Sequence, residues 1–133
     1  MSFKRAKWGN KKVVYKGITF DSAKERDRYI TLCLRQQQGI ISNLQYQVEY
    51  IVIPTLYTMQ TKVLKTKTKQ VQRTFAKATK YIADFVYTDQ NGNMVVEDVK
   101  GSKATITPEF RLKYKLMKHV HDIEVKIIFN PNE

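Results

Sequence analysis

The chain has 133 residues, 42% of them hydrophobic, and it carries 24 Lys and Arg against 12 Asp and Glu, a formal net charge of +12. This length predicts one domain, residues 1–133, with enough apolar content for a core, and the charge predicts a polyanionic partner. The absence of any apolar run of 18 residues argues against a membrane-spanning helix, and a single cysteine, Cys33, excludes an internal disulfide and is typical of a cytoplasmic protein.

The first segment, residues 1–12, is basic and lacks the apolar stretch of a signal peptide. We interpret it as an arm that becomes ordered on a phosphate backbone, with a frayed terminus as the alternative. Residues 13–20 predict a short strand pair around Lys16-Gly17. Residues 22–38 predict a helix with Asp21 or Ser22 as its N-cap, ended by Gly39.

Glu25 has two interpretations. It lies three residues after Ser22, which is the spacing of a capping box. It is also followed by Tyr29 and Leu32 at helical spacing, which places it on the apolar side of the helix. An acid at the inward edge of a helix start can reach an adjacent sheet, so Glu25 is also a candidate site residue.

After a linker at 40–44, residues 45–56 predict a strand with a bend near Pro54. Residues 61–80 are basic throughout and contain no acid, and the interleaved Thr and Val predict two extended arms of a hairpin. We interpret this segment as a flap that grips nucleic acid; a solvated loop is the alternative. Its basic residues are Lys62, Lys65, Lys67, Lys69, Arg73, Lys77 and Lys80.

Residues 81–101 predict a second hairpin, with strands 81–88 and 94–100 joined by a turn at 89–92. Because side chains alternate along a strand, Asp98 and Lys100 point to one face and Glu97 to the other. Asp84 on the first strand completes a trio with them. Two carboxylates that hold Mg²⁺ or Mn²⁺ beside one ammonium suit metal-dependent cleavage of a phosphodiester.

The remaining chain predicts a loop at 101–106, a helix from Pro108 to residue 119 capped by Thr107, and a closing strand at 123–129. The core order is therefore αβββαβ, preceded by a small N-terminal strand pair. This order predicts an α+β fold in which a mixed central sheet is flanked by helices.

Asp84 followed by Asp98-Val99-Lys100 resembles the signature of the PD-(D/E)xK nuclease superfamily. The string VVEDVKG and the opening block around residues 9–22, with Glu25 and Tyr29, resemble a small, phage-encoded branch of it that is similar to Holliday-junction resolvases. The resemblance covers roughly residues 8–128. Ala83 stands where the superfamily usually has Pro before the first Asp, which is a minor departure.

This resemblance implies a restriction-endonuclease-like fold and a metal-dependent endodeoxyribonuclease. It implies that Mg²⁺ or Mn²⁺ is held by Asp84, Asp98, the main-chain carbonyl of Val99 and Glu25, and that Lys100 acts on the nucleophile or the phosphate. It also implies that Lys113 supports the site, although a solvated helix face is the ordinary role of such a lysine. A homodimer that acts on branched DNA in the cytoplasm of a host cell is implied by the resemblance alone.

Two other classes remain open. One is a DNA-binding module without chemistry on an inactivated nuclease-like scaffold, which the charge fits equally well. The other is a basic RNA-binding protein, although no motif of an RNA-recognition fold is present. Carboxylates beside a phosphate are unfavourable unless a cation lies between them, so the intact trio favours the nuclease.

Overall fold

The computed structural model describes residues 11–133, so most of the predicted basic arm lies outside the described residues. Lys11 and Lys12, its last two residues, are exposed. The elements in chain order are β1 Val13–Tyr15, β2 Ile18–Phe20, α1 Ala23–Gln37, β3 Ser42–Ile53, β4 Leu56–Val63, β5 Thr68–Ala76, β6 Thr79–Thr88, β7 Met94–Val99, a 3₁₀ helix Lys103–Thr105, α2 Pro108–His121 and β8 Lys126–Ile128.

Four strands form the central sheet in the order β3-β6-β7-β8. The β3–β6 and β6–β7 pairs are antiparallel, whereas β7 pairs with β8 in parallel, so that Asp98 lies opposite Ile127. The predicted α+β class with a mixed sheet is therefore confirmed. The parallel pair follows from connectivity, because α2 returns the chain to the same end of the sheet before β8 begins.

Two apolar clusters cover the sheet, one beneath each helix. Phe85 and Tyr87 pack with Phe20 and with Leu32 of α1. Along the same hairpin, Val86 and Val96 pack with residues of α2, namely Phe110 and Met117. Alternation explains this division for residues 85–87 and for β7, because neighbouring residues project to opposite faces. Ala83 departs from it, since it lies two residues before Phe85 and yet packs in the cluster beneath α2. The two helices thus fix the hairpin that carries the candidate residues.

The hairpin turn forms as its residues predict. The Asp89 side chain accepts hydrogen bonds from the backbone N–H groups of Asn91 and Asn93, both at 2.9 Å. Gly92 adopts a φ of +80°, a conformation that disfavours residues with a Cβ. The turn therefore sets the register in which Phe85 lies opposite Glu97.

The predicted flap is a two-stranded ribbon, but its boundaries were wrong. β4 and β5 pair with each other and with no other strand in residues 11–133. The ribbon begins at Leu56, within the predicted preceding strand, and ends at Ala76, while residues 79 and 80 belong to β6. Pro54 explains the shift, because it interrupts β3 after Ile53 and lets the chain enter a separate pair.

Smaller boundaries also differ. Residues 42–44 of the predicted linker belong to β3, where the Gln36 side chain accepts a hydrogen bond from the Leu44 N–H. Helix α2 continues to His121, the final strand is restricted to Lys126–Ile128, and the predicted loop at 101–106 contains the 3₁₀ helix. Among residues 11–133, no helix is long and apolar enough to cross a membrane.

Candidate active site

A cleft of about 890 Å³ opens between the start of α1, the β6–β7 hairpin and the loop after β7. Three acids line it, Glu25 from α1, Asp84 from β6 and Asp98 from β7, together with Lys100. Ser22 caps the helix beside them, since its hydroxyl accepts a hydrogen bond from the Glu25 N–H at 3.1 Å. The fold therefore gathers residues that are up to 75 positions apart (25 to 100) in the sequence.

Asp84, in the middle of β6, is held by the backbone at the end of the neighbouring strand β7. Its Oδ2 accepts a hydrogen bond from the Val99 N–H at 2.7 Å. Burial is the main cause that raises the pKa of Asp84 well above its usual range, and the charges of Asp98 and Glu25 add to the rise. The Val99 N–H and Lys100 oppose it. Like charges in a buried cleft thus favour protonation here, unless a cation offsets them.

Asp98 lies between an ammonium and a phenol. Its Oδ1 is 3.1 Å from Lys100 Nζ, and its Oδ2 accepts a hydrogen bond from the Tyr81 hydroxyl at 2.7 Å. Oδ1 is buried, and among the described residues no donor makes a well-directed hydrogen bond to it. This carboxylate oxygen therefore keeps free capacity for a further ligand, since each oxygen accepts more than one bond.

Lys100 is positioned by an aromatic ring as well as by Asp98. Its Nζ lies 4.1 Å from the centroid of Phe110 in α2, a cation–π distance. The lysine side chain is 20% exposed, so its charged end is held beside the cleft.

Glu25 has the helix-cap contact that its spacing predicts and lies in the cleft, where its part in chemistry stays a prediction. Its backbone N–H is capped by Ser22, whereas its side chain is buried in the cleft. Burial, followed by the charge of Asp21, raises the pKa of Glu25 to about 7, while the Asp21 backbone N–H and the nearby Asp84 side chain oppose the rise. The carboxyl group therefore changes protonation near neutral pH.

Glu97 lies on the opposite face, as strand alternation predicts, and serves a structural role. Both it and Arg28 of α1 are completely buried, and the guanidinium donates to the two carboxylate oxygens at 2.8 and 2.6 Å. The Tyr87 hydroxyl also donates to Glu97. This bidentate ion pair ties α1 to β7 and does not face the cleft. Sequence reasoning missed Arg28, whose sole signal was a basic residue on the buried stripe of α1.

Two smaller clefts continue the main one. In the first, Lys113 lies with Asp98, Lys100 and Tyr81, so its predicted supporting role is geometrically consistent, although its Nζ pairs with Glu109 at 3.0 Å. In the second, Glu49 lies beside Asp84 and pairs at its exposed end with Lys80 at 2.8 Å. Tyr81 was not singled out in the sequence, because a tyrosine at a strand start is typical of a core position.

The predicted flap cations lie apart from the acids. None of the six basic residues of the predicted DNA-binding set in this segment lines the main cleft. All six are exposed, namely Lys62, Lys65, Lys67, Lys69, Arg73 and Lys77.

The acids are close but not arranged as a finished metal site. Within residues 11–133, no group of three His, Cys, Asp or Glu side chains is placed to hold a metal ion as it stands. Asp98 contacts Lys100 and Tyr81, so its carboxylate is not placed with Glu25 and Asp84 as a preformed ligand set. The donors themselves are hard oxygen ligands of the kind that Mg²⁺ and Mn²⁺ prefer.

Comparison with known proteins identifies a family. The family model described as "Protein of unknown function (DUF1064)" matches residues 5–130, so the chain belongs to that family. No curated protein and no solved structure matches the chain.

Proposed function

We propose that this chain is a Mg²⁺- or Mn²⁺-dependent deoxyribonuclease with a restriction-endonuclease-like fold. The observation that carries the proposal is the convergence of Glu25, Asp84, Asp98 and Lys100 in one cleft of a protein with a net charge of +12. The raised pKa of Glu25 and of Asp84 supports it, because such shifts cluster at functional sites.

The residues fit a hard divalent cation. Asp98 Oδ1 is buried and lacks a well-directed donor, and Asp84 and Glu25 place two more carboxyl groups in the same cleft. We propose these three, with the main-chain carbonyl of Val99, as the ligands. When bound, the cation lowers the pKa of a coordinated water and offsets charge on the phosphate. Binding also requires Glu25 and Asp84 to lose their protons.

The chain's own residues then have separate tasks. Asp98 would hold the cation through Oδ1, the oxygen that lies 3.1 Å from Lys100 Nζ, and the ammonium would then be available to the substrate. Phe110 keeps Lys100 beside the cleft, where it orients the nucleophile or stabilises negative charge on the phosphate. Tyr81 holds the second oxygen of Asp98 and so restricts its rotation. The basic ribbon and Lys113 supply contacts to DNA.

We also propose a homodimer that prefers branched to linear duplex DNA and works in the cytoplasm of a host cell. A small domain has a small footprint on DNA, and two copies would engage two arms of a junction. Light scattering of the free protein and of its complex with a four-way junction tests whether the protein is a dimer. A monomer in both measurements would exclude it.

A catalytically inactive DNA-binding module is the second candidate. It is favoured by the absence of a preformed three-ligand metal group in residues 11–133. Isothermal titration with Mn²⁺ distinguishes the two, because the inactive module should bind no cation at the cleft.

The deciding experiment is cleavage of linear, nicked, flap and four-way-junction DNA by purified protein in Mg²⁺, in Mn²⁺ and in EDTA. If the proposed function is right, the protein cleaves DNA in the presence of either cation and does not cleave it in EDTA. Asp98→Asn protein, purified in parallel, controls for contaminating nuclease. Equal cleavage by the variant, or cleavage undiminished in EDTA, would reject the proposal.

A further inference from the structure

The ribbon formed by β4 and β5 has one charged and one uncharged face. Its register is regular from Tyr57 opposite Thr74 to Val63 opposite Thr68. Residues directly opposite each other share a face, and faces alternate along each strand. One face therefore carries the pairs Thr58–Arg73, Gln60–Val71 and Lys62–Lys69. The other carries Tyr57–Thr74, Met59–Gln72, Thr61–Gln70 and Val63–Thr68.

The charged face is suited to an anionic partner. Lys62 lies directly opposite Lys69, an arrangement in which like charges destabilise the strand pair. No acid occurs between Glu49 and Asp84 in the sequence, so the ribbon contains no counter-charge of its own. An array of phosphates is the complement that such a face fits.

The uncharged face is exposed and has a definite chemistry. The side chains of Tyr57, Met59 and Val63 are 57%, 61% and 78% exposed. Gln70 and Gln72 lie among them, and the Gln70 amide donates to the Thr61 hydroxyl at 3.0 Å, which confirms that these two share a face. Glutamine amides pair with adenine in the major groove, threonine hydroxyls bond to several bases, and apolar groups contact the thymine methyl.

We propose that the ribbon inserts into the major groove of duplex DNA with its uncharged face on the base edges, so that Gln70 and Gln72 give this protein a sequence preference. This inference rests on the proposed function for the presence of DNA. It adds direct readout of bases to the phosphate contacts of the flap.

The dimensions of the ribbon and the groove agree. The major groove admits a two-stranded β-ribbon and is about 12 Å wide and 8.5 Å deep. Side chains of the uncharged face occupy the lower part of that depth. The backbone then lies below the groove rims, and Lys62, Lys69 and Arg73 on the upper face reach the phosphates on either side. The eight residues of β4 extend about 26 Å, enough to follow the groove over several base pairs.

The test compares Gln70→Ala/Gln72→Ala with the matched control Gln37→Ala, which removes an exposed glutamine from the end of α1. Each protein is incubated with a library of randomised duplexes in buffer that contains EDTA, and the sequences that it binds are identified and counted. Guanine N7 protection from dimethyl sulfate is measured on an enriched duplex. We expect wild type and control to enrich a motif and to protect N7. The double variant should lose the motif, with discrimination falling about tenfold per glutamine contact. Its N7 protection and the salt dependence of its binding should persist, because Lys62, Lys69 and Arg73 still hold the ribbon in the groove.

Three results would overturn the inference. The first is an unprotected N7 in the wild-type complex, and the second is retention of the motif by the double variant. The third is conversion of a dimer to a monomer by the double variant in sedimentation, which would make the uncharged face a contact between two copies. Cleavage in Mn²⁺, measured on the same preparations, separates the proposals. Cleavage without N7 protection would support the proposed nuclease and reject groove insertion. N7 protection without cleavage would support groove insertion and reject the nuclease.

Discussion

Replacing Glu97 with Gln should destabilise the fold strongly, although the neighbouring Asp98 is the residue assigned to chemistry. The Glu97 carboxylate is fully buried and accepts from Arg28 Nε and Nη2 and from the Tyr87 hydroxyl. An amide in its place removes the charge and turns an NH₂ group toward donors. Arg28 is then a buried cation that has lost its bidentate carboxylate partner, although Nη1 keeps the backbone oxygens of Pro131 and Glu133 as acceptors.

The expected cost follows from this geometry. Removing one partner of a buried ion pair costs about 3–5 kcal/mol. A domain of this size has a total free energy of unfolding of about 5–15 kcal/mol. The loss corresponds to a decrease in Tm of roughly 10–20 °C, taking a few degrees per kcal/mol at this chain length. Most of the protein should still be folded at low temperature.

Scanning calorimetry in EDTA measures the effect, with Glu124→Gln as the control, since the side chain of Glu124 is 81% exposed. The pair Arg28→Met/Glu97→Leu should cost less than the sum of the single changes, because it leaves no buried charge. A Glu97→Gln protein whose Tm lies within about 2 °C of wild type would refute the reasoning. If that variant is folded but inactive while Asp98→Asn is active, the candidate site must be rebuilt around Glu97.

Three further predictions address chemistry, pH and binding. Asp98→Asn should abolish cleavage yet keep or tighten DNA binding in EDTA, because it removes a like charge facing the phosphate. Lys100→Ala should also lose cleavage, while titration still shows that it binds Mn²⁺. Variants that lose binding and cleavage together would contradict these assignments. Burial raises the pKa of Glu25 from 4.5 to about 7, so the stability that it contributes in EDTA is fully present below pH 4.5 and is lost, by about 3 kcal/mol, as the pH rises through 7. The free energy of unfolding measured with urea should therefore fall less steeply with pH for Glu25→Gln than for wild type. Parallel declines would argue against the shift. Alanine at three lysines of the flap, Lys65 and Lys67 in the turn between β4 and β5 and Lys69 in β5, should reduce the log–log salt slope of DNA binding by up to about 0.9 per lost contact. An unchanged slope would place these residues in solvent.

Much of the local structure was predictable because it depends on short-range chemistry. The turn at Asp89 requires a side chain that accepts backbone N–H groups and a residue tolerant of positive φ, and both are visible in the sequence. Alternation in β7 assigns Glu97 and Asp98 to different faces without any tertiary information. The cap at Ser22 is equally local.

Contacts between distant elements were not predictable in the same way. Nothing near Arg28 in the sequence indicates that its guanidinium meets Glu97, because the contact depends on how α1 crosses β7. The hydrogen bond from Tyr81 to Asp98 and the position of Phe110 over Lys100 depend likewise on packing. The ribbon boundary was misjudged because the β propensity of residues 56–60 is the same whether they extend β3 or pair with β5.

The separate pairing of β4 and β5 has a consequence for how the molecule opens. All eight residues of β4 are exposed, so the ribbon buries little apolar surface, and it shares no ladder with the central sheet within residues 11–133. Its hydrogen bonds can therefore break at far lower free energy than global unfolding. Its amide protons should exchange orders of magnitude faster than those of β6 and β7. Trypsin should likewise cut at its lysines while the clusters beneath α1 and α2 remain intact, and bound duplex should slow both processes.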